Sequence, residues 1–229
     1  MWKKVSSTTL YIHKEEPVAS YNPYRRLVGK PQCGEIEEII VEEGHPWLVS
    51  IDNCLIHTKT NTLLRGCKNS RIPSFVKSIG AFAFCNCKGL KTIEIPESVT
   101  SIGPGAFSEC EDLEEIELPD SVRKIKSWAF SQCKRLKSIR LSKNLKRIAE
   151  GAFSGCSSLE RLAFGPKLEF IGRIAFLGCV SLGSVQLPHS VNKVFVDAFE
   201  CCKEVEIYAS AGSYAEQFAI ENKILFKAI

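Results

Sequence analysis

No run of about 18 apolar residues occurs in the 229-residue chain, so no segment reads as a transmembrane helix. Its first residues, MWKKVSSTTLYIHKEE, carry bases but neither an apolar stretch nor a small-residue cleavage site, so no secretory leader is read there. Charge of one sign is not in strong excess either, and a net +4 is too mild to point to nucleic acid. Histidine is scarce: His13, His45, His57 and His189 fall in unrelated segments, outside any recognised nucleophile or metal motif. No glycine-rich phosphate loop is found. With these groups missing, no enzymatic activity and no cofactor are expected.

What is present is a repeat. Ala-Phe recurs at Ala83-Phe84, Ala106-Phe107, Ala129-Phe130, Ala152-Phe153, Ala175-Phe176 and Ala198-Phe199, always 23 residues apart. Cys87, Cys110, Cys133, Cys156, Cys179 and Cys202 follow in register, then Leu90, Leu113, Leu136, Leu159, Leu182 and Val205. An apolar pair such as Ile116/Leu118 and a second pair such as Val122/Ile125 complete each unit.

A 23-residue unit cannot bury its apolar side alone, whereas stacked copies share one continuous core. The Leu-x-x-Ile-x-Leu segment alternates with period two and predicts a short strand, ended by Pro96, Pro119 or Pro188. Strands one repeat apart are expected to pair in parallel at ~4.8 Å per rung. The Val-x-x-Ile segment predicts a second, weaker edge. Ala-Phe predicts a tight turn or a single helical turn that drops Phe inward. The fold class is therefore an α/β-type repeat solenoid.

The unit L-x-x-I-x-L-P-x-S-V-x-x-I-G-x-x-A-F-x-x-C resembles the BspA-like class of leucine-rich repeats. The resemblance implies a right-handed solenoid with a parallel sheet on one face. It also implies a bacterial or protist cell-surface or secreted protein engaged in adhesion and protein binding, without catalysis. Residues 72–205 hold the regular repeats. Residues 35–71 read as a divergent rung with an inserted hairpin, Ile51 to Ile56 and Thr62 to Gly66 about the turn His57 to Asn61. Residues 206–229 predict a helix–strand cap in which Tyr214, Phe218 and Ile220 to Ile224 cover the last rung. Residues 1–34 carry no repeat, and TTLYIHKEEPVASYNPY resembles the remnant of a preceding cap.

Residues 94–120 contain nine acidic and no basic residues, and residues 123–147 contain ten basic and no acidic ones. Stacking then sets Glu111 beside Lys134, Asp112 beside Arg135, Glu114 beside Lys137, Glu117 beside Arg140 and Asp120 beside Lys143. Opposite charges on neighbouring strands support one register and penalise others. Arg123, Lys124, Lys146 and Arg147 escape this pattern, like charge stacking on like, and form a candidate anion patch with Lys126 close by. A thiol on each rung lies along a line rather than converging on one ion, which argues against zinc. Cys110, Cys133, Cys156 and Cys179 are expected to be buried, reduced apolar fillers with no assured polar partner. Trp128 either anchors a partner or packs on its own turn.

The outward strand positions, Thr92, Glu94, Glu115, Glu117, Ser138, Arg140, Arg161 and Gln186, with Ser184 and Ala163 beside them, are the candidate binding face. The expected function is recognition of a protein or other macromolecule through that face. The alternatives are a structural spacer in a longer surface protein and an accessory domain for an anionic glycan. A protein or glycan partner is expected, and nucleic acid is not.

Overall fold

The computed structural model describes residues 8–15 and 33–229. Five strands precede the regular repeats: β1 (Thr9–Ile12), β2 (Glu38–Val41), β3 (Leu48–Ile51), β4 (Cys54–His57) and β5 (Thr62–Arg65). The rungs then contribute β6 (Ser78–Ile79), β7 (Ser101–Ile102), β8 (Glu115–Glu117), β9 (Lys124–Ile125), β10 (Ser138–Arg140) and β11 (Arg147–Ile148). They continue with β12 (Arg161–Ala163), β13 (Phe170–Ile171), β14 (Ser184–Gln186), β15 (Lys193–Val194) and β16 (Glu206–Ala209). A helix α1 (Tyr214–Glu221) and a strand β17 (Leu225–Ala228) close the chain.

Two sheets share one core. The six-stranded sheet, in the order β17-β16-β14-β12-β10-β8, is parallel and arises from the Leu-x-x-Ile-x-Leu segments. The nine-stranded sheet runs β15-β13-β11-β9-β7-β6-β5-β4-β3 and arises from the Val-x-x-Ile segments together with the hairpin. The edge expected to be the lesser one thus carries the longer sheet. Its rung strands are only two residues long, yet β5 joins β6 in parallel and extends the ladder into the antiparallel β3-β4-β5 unit. The first arm of that unit is not continuous from Ile51 to Ile56. Asp52 (φ 49°) and Asn53 (φ 58°) turn the chain between β3 and β4, and asparagine and aspartate tolerate this left-handed backbone best after glycine.

β4 is buried on both faces, which explains its unbroken apolar run Cys54-Leu55-Ile56. Cys54 and Ile56 face the main core, whereas Leu55 enters a second small core with Leu10, Ile12, Ile36, Ile39 and Leu48. β1 pairs in parallel with β2 over that second core, so the part of segment 1–34 described here is not irregular throughout. The remainder of the cap-like stretch, Glu16 to Tyr24, lies outside the described residues.

The third side of each rung is a turn, not a helical turn. Each core Phe of the ladder from Phe84 to Phe176 donates its N–H to the carbonyl of the next rung's Ala, as in Phe130 N to Ala152 O at 2.8 Å. The rings stack along the axis with centroids 5.1 Å apart for Phe84–Phe107 and 5.4 Å for Phe153–Phe176, their planes nearly parallel at 2° and 3°. Phe84, Phe107, Phe130, Phe153 and Phe176 are wholly buried, each worth about 1.5–3 kcal/mol of transfer free energy. The serine of the P-x-S-V segment bonds back one rung: Ser121 Oγ donates to Val99 O at 2.7 Å and Ser190 Oγ to Leu168 O at 2.6 Å.

No disulfide joins two cysteines among the described residues, and the thiols on the ladder have a partner that their spacing does not announce. Cys133 Sγ donates to Phe107 O at 3.1 Å, and Cys110, Cys156 and Cys179 repeat the contact to Phe84, Phe130 and Phe153 at 3.0, 3.1 and 3.2 Å. Each such carbonyl also accepts the N–H of its own rung's cysteine, as Phe107 O does from Cys110 N at 3.2 Å, so both lone pairs are used. The expectation of partnerless thiols is corrected accordingly. Burial first of all pushes the Cys133 and Cys179 thiols well above the ordinary range, and the half-buried Cys202 up to about 11.

α1 caps the last rung. Ser213 Oγ accepts from Glu216 N at 3.3 Å and Glu216 reaches back to Gly212 N at 2.6 Å, which satisfies orphan donors at the helix start. Ala215, Phe218 and Ala219 face the core, while Ile220 points to solvent.

Candidate functional site

Parallel pairing in exact register would leave the outward positions of the six-stranded sheet as straight columns, and the observed ladder does so. Glu117, Arg140, Ala163, Gln186 and Tyr208 form one column, and Glu115, Ser138 and Arg161 start the other, which continues through Ser184 to Glu206. Their inward neighbours Ile116, Ile139, Leu162, Val185 and Ile207 are core. The inward set repeats because every rung meets the same packing, while the outward set changes at each step.

A groove of about 540 Å³ lies over this face. Glu117 and Arg140 line one part, Arg161 the middle, and Gln186, Tyr208 and Ile229 the other part. Ser138, Ala163 and Ser184 supply the low floor between the longer side chains. Of the outward positions named from the sequence, Glu115, Glu117, Ser138, Arg140, Arg161 and Gln186 line the groove. Thr92 and Glu94 do not. Residues 91–95 run beside β8, with Glu114 N bonded to Lys91 O at 2.9 Å, but form no strand. The preceding rung has Ser70 where later rungs have an apolar strand residue. Its Oγ takes Cys67 N and gives to Asn53 O, tying that segment to the hairpin rather than to a sheet.

Tyr208 and Ile229 went unrecognised in the sequence. Tyr208 pairs with Gln186, a step of 22 rather than 23, because the last rung is one residue shorter. The alternation in Glu206-Ile207-Tyr208-Ala209 was the available signal.

The ends of the groove differ electrostatically. Arg140 Nε lies 3.2 Å from Glu117 Oε2, and its Nη1 lies 3.9 Å from Asp120. Lys227 Nζ sits 2.9 Å from Glu206 Oε2, and Tyr208 OH donates to the same oxygen at 2.8 Å. Hydrogen bonds from Lys227, then Tyr208, hold the Glu206 carboxyl below the usual carboxylate range, and the same contacts raise Lys227. Arg161 stands between these clusters, exposed and without an ion pair among the described residues. An unpaired guanidinium flanked by small hydroxyl side chains can take a carboxylate or peptide carbonyls through its fork of donors.

The charge reversal closes as a column of inter-rung pairs: Lys134–Glu111 at 2.7 Å, Arg135–Asp112 at 3.1 Å and Lys143–Asp120 at 3.9 Å. Lys137 and Glu114 are neighbours through the backbone bond Lys137 N to Glu114 O at 2.9 Å. The candidate anion patch lies on the nine-stranded sheet, where Lys124 and Arg147 are register partners as expected. Lys146, however, is not unpaired: its Nζ lies 2.9 Å from Glu169 Oε1, one rung on. Arg147 is held too, its guanidinium 3.8 Å from the centre of the Phe170 ring. Trp128 does not pack on its own turn. Its indole covers Gly151 of the next rung, where a Cβ would lie 2.4 Å from the ring, and the tryptophan itself adopts φ 62°.

Residues 77–206 match the family described as "BspA type Leucine rich repeat region", in six copies. The chain belongs to the BspA-type leucine-rich repeat family. A leucine-rich repeat protein from Eubacterium ventriosum shares 27% identity and superposes with a TM-score of 0.73, over 91% of this chain and 55% of that one. A leucine rich cell surface protein from Faecalibacterium prausnitzii shares 25% identity with a TM-score of 0.65, over 94% of this chain and 51% of that one. The pneumococcal vaccine antigen PcpA, at 19% identity and a TM-score of 0.69 over 97% of this chain and 56% of that one, shares the fold. The chain thus spans about half the length of these three proteins. No curated protein matches it. Among the described residues, no helix is long and apolar enough to cross a membrane.

Proposed function

We propose that this chain is a non-enzymatic binding module of a surface or secreted protein, taking an extended segment of a protein partner across the six-stranded face. The groove of about 540 Å³ carries the reading, because its lining changes from rung to rung while the core beneath it repeats. A pure spacer gains nothing from such differentiation, whereas repeat proteins bind through extended faces of this kind. Arg161 is the anchor, with Ser138 and Ser184 beside it and Gln186 and Tyr208 further along. Family membership and the cell-surface description of the F. prausnitzii relative support the setting.

The test is selection of displayed random peptides on the intact chain, followed by binding to Arg161→Ala and Ala163→Trp variants. Selected peptides should lose most of their affinity for both, the first by loss of the anchor and the second by filling the floor. Peptides that bind both variants as tightly as the parent, or a failure to enrich any sequence, would overturn this assignment.

A further inference from the structure

The nine-stranded sheet presents a second outward face whose chemistry differs from the groove. Its central column reads Ser101, Lys124, Arg147, Phe170 and Lys193 in ladder order. Arg123 and Lys126 flank Lys124, both exposed. From Ser101 to Lys193, the one carboxylate in these columns among the described residues is Glu169, which Lys146 neutralises at 2.9 Å. At ~4.8 Å per rung, Lys124 and Lys193 stand ~14 Å apart. The central cations therefore run as a line along the solenoid axis, with Arg123 and Lys126 beside it on the Lys124 rung.

Two aromatic rings hold that line in place. Arg147 lies 3.8 Å over Phe170, Phe170 meets Phe195 edge to face at 5.7 Å, and Lys193 Nζ lies 5.2 Å over Phe195. A guanidinium on an aromatic face keeps its donors directed outward, so less freedom is lost when it takes an oxyanion. The rings themselves are half-buried and each is covered by a cation.

We infer that this column is a binding site for a linear anionic polysaccharide, distinct from the groove on the six-stranded face. Charge complementarity selects a polyanion. Single-file spacing fits a chain laid along the rungs. Single-stranded nucleic acid is disfavoured because its bases need open aromatic faces to stack on, and those faces are occupied. A bilayer is disfavoured because membrane-surface binding uses exposed apolar side chains beside the bases, and these columns offer only half-buried rings.

The experiment is affinity of the intact chain for immobilised heparin at low salt. Lys124→Ser/Arg147→Ser/Lys193→Ser should weaken binding by about ten-fold or more. Lys134→Ser/Lys137→Ser/Lys143→Ser removes the same formal charge from other columns and should stay within about two-fold of the parent. Arg161→Ala in the groove should leave heparin binding unchanged, separating this site from the proposed peptide site. Thermal unfolding of each variant checks that it is folded, and Arg147→Lys, which keeps charge and loses the fork, should give an intermediate loss. Equal weakening in the two triple variants would reduce the effect to net charge and overturn the site. Tighter binding to DNA or to anionic vesicles than to heparin, or no retention of the parent, would overturn the polysaccharide assignment.

Discussion

Replacing Cys133 by serine is expected to cost no more than replacing it by alanine, the reverse of what a partnerless buried residue would show. Cys133 is wholly buried, with Sγ 3.1 Å from Phe107 O. Alanine removes one heavy atom and one weak donor. The void resembles a small core truncation, about 0.5–1.5 kcal/mol, and the lost S–H contact adds at most about 0.5–1 kcal/mol. Phe107 O keeps its bond from Cys110 N at 3.2 Å, so no orphaned carbonyl is left. Serine fills most of the space. Its hydroxyl would cost about 1–3 kcal/mol if buried unpaired, but with the carbonyl in reach it recovers about 0.5–1.5 kcal/mol. The two variants should therefore fall within about 1 kcal/mol of each other, serine equal or better. For a chain of this length 1 kcal/mol moves the midpoint by about 2–4 °C, which thermal scans resolve. Urea unfolding gives the free energies, with the slope checking that the unfolding unit is unchanged. A serine variant more than about 1 kcal/mol less stable than alanine at equal slope would show that the carbonyl is not an acceptor there and that the thiol is only filler.

Glu117→Lys should destabilise and the added Arg140→Glu should restore most of the loss, with a coupling of a few tenths up to ~1 kcal/mol that shrinks in high salt; an additive double-mutant cycle would mean the side chains do not interact. Gly151→Ala should destabilise by more than the ~1–2 kcal/mol of a left-handed alanine, because its Cβ enters the Trp128 ring, and Trp128→Ala should relieve the steric part while leaving the backbone part; equal losses in both backgrounds would refute the packing. For the Glu206–Lys227 pair the signs are opposite. The lowered Glu206 contributes stability above its unfolded pKa of about 4.3 that is lost as pH falls through the folded value, and the raised Lys227 contributes stability below about 10.4 that is lost as pH rises through its folded value. Glu206→Gln should then lower the midpoint on the plateau between and converge with the parent in acid; a difference independent of pH would count against the linkage.

The sequence by itself determined the period, and the period determined which residues share the core, that the strands pair in parallel, and which charges meet across rungs. Those properties are legible because every rung repeats one local problem: Phe107 and Phe130 must be buried in the same way, and Glu117 must lie beside Arg140. The Lys146–Glu169 pair obeys the same 23-residue step and was legible by extending the column one rung further. What tertiary structure decided are contacts offset from the period or dependent on backbone conformation. The thiol of Cys133 reaches a carbonyl 26 residues back, because the turn carries the Phe carbonyl past its own rung. Trp128 settles on Gly151 because both adopt left-handed φ on a stacked turn. Thr92 and Glu94 fall outside the sheet because Ser70 binds the hairpin, and Tyr208 enters the groove because the last rung is one residue short. A repeat states what every rung has in common. The ends, where a neighbour is missing or altered, are set by packing alone.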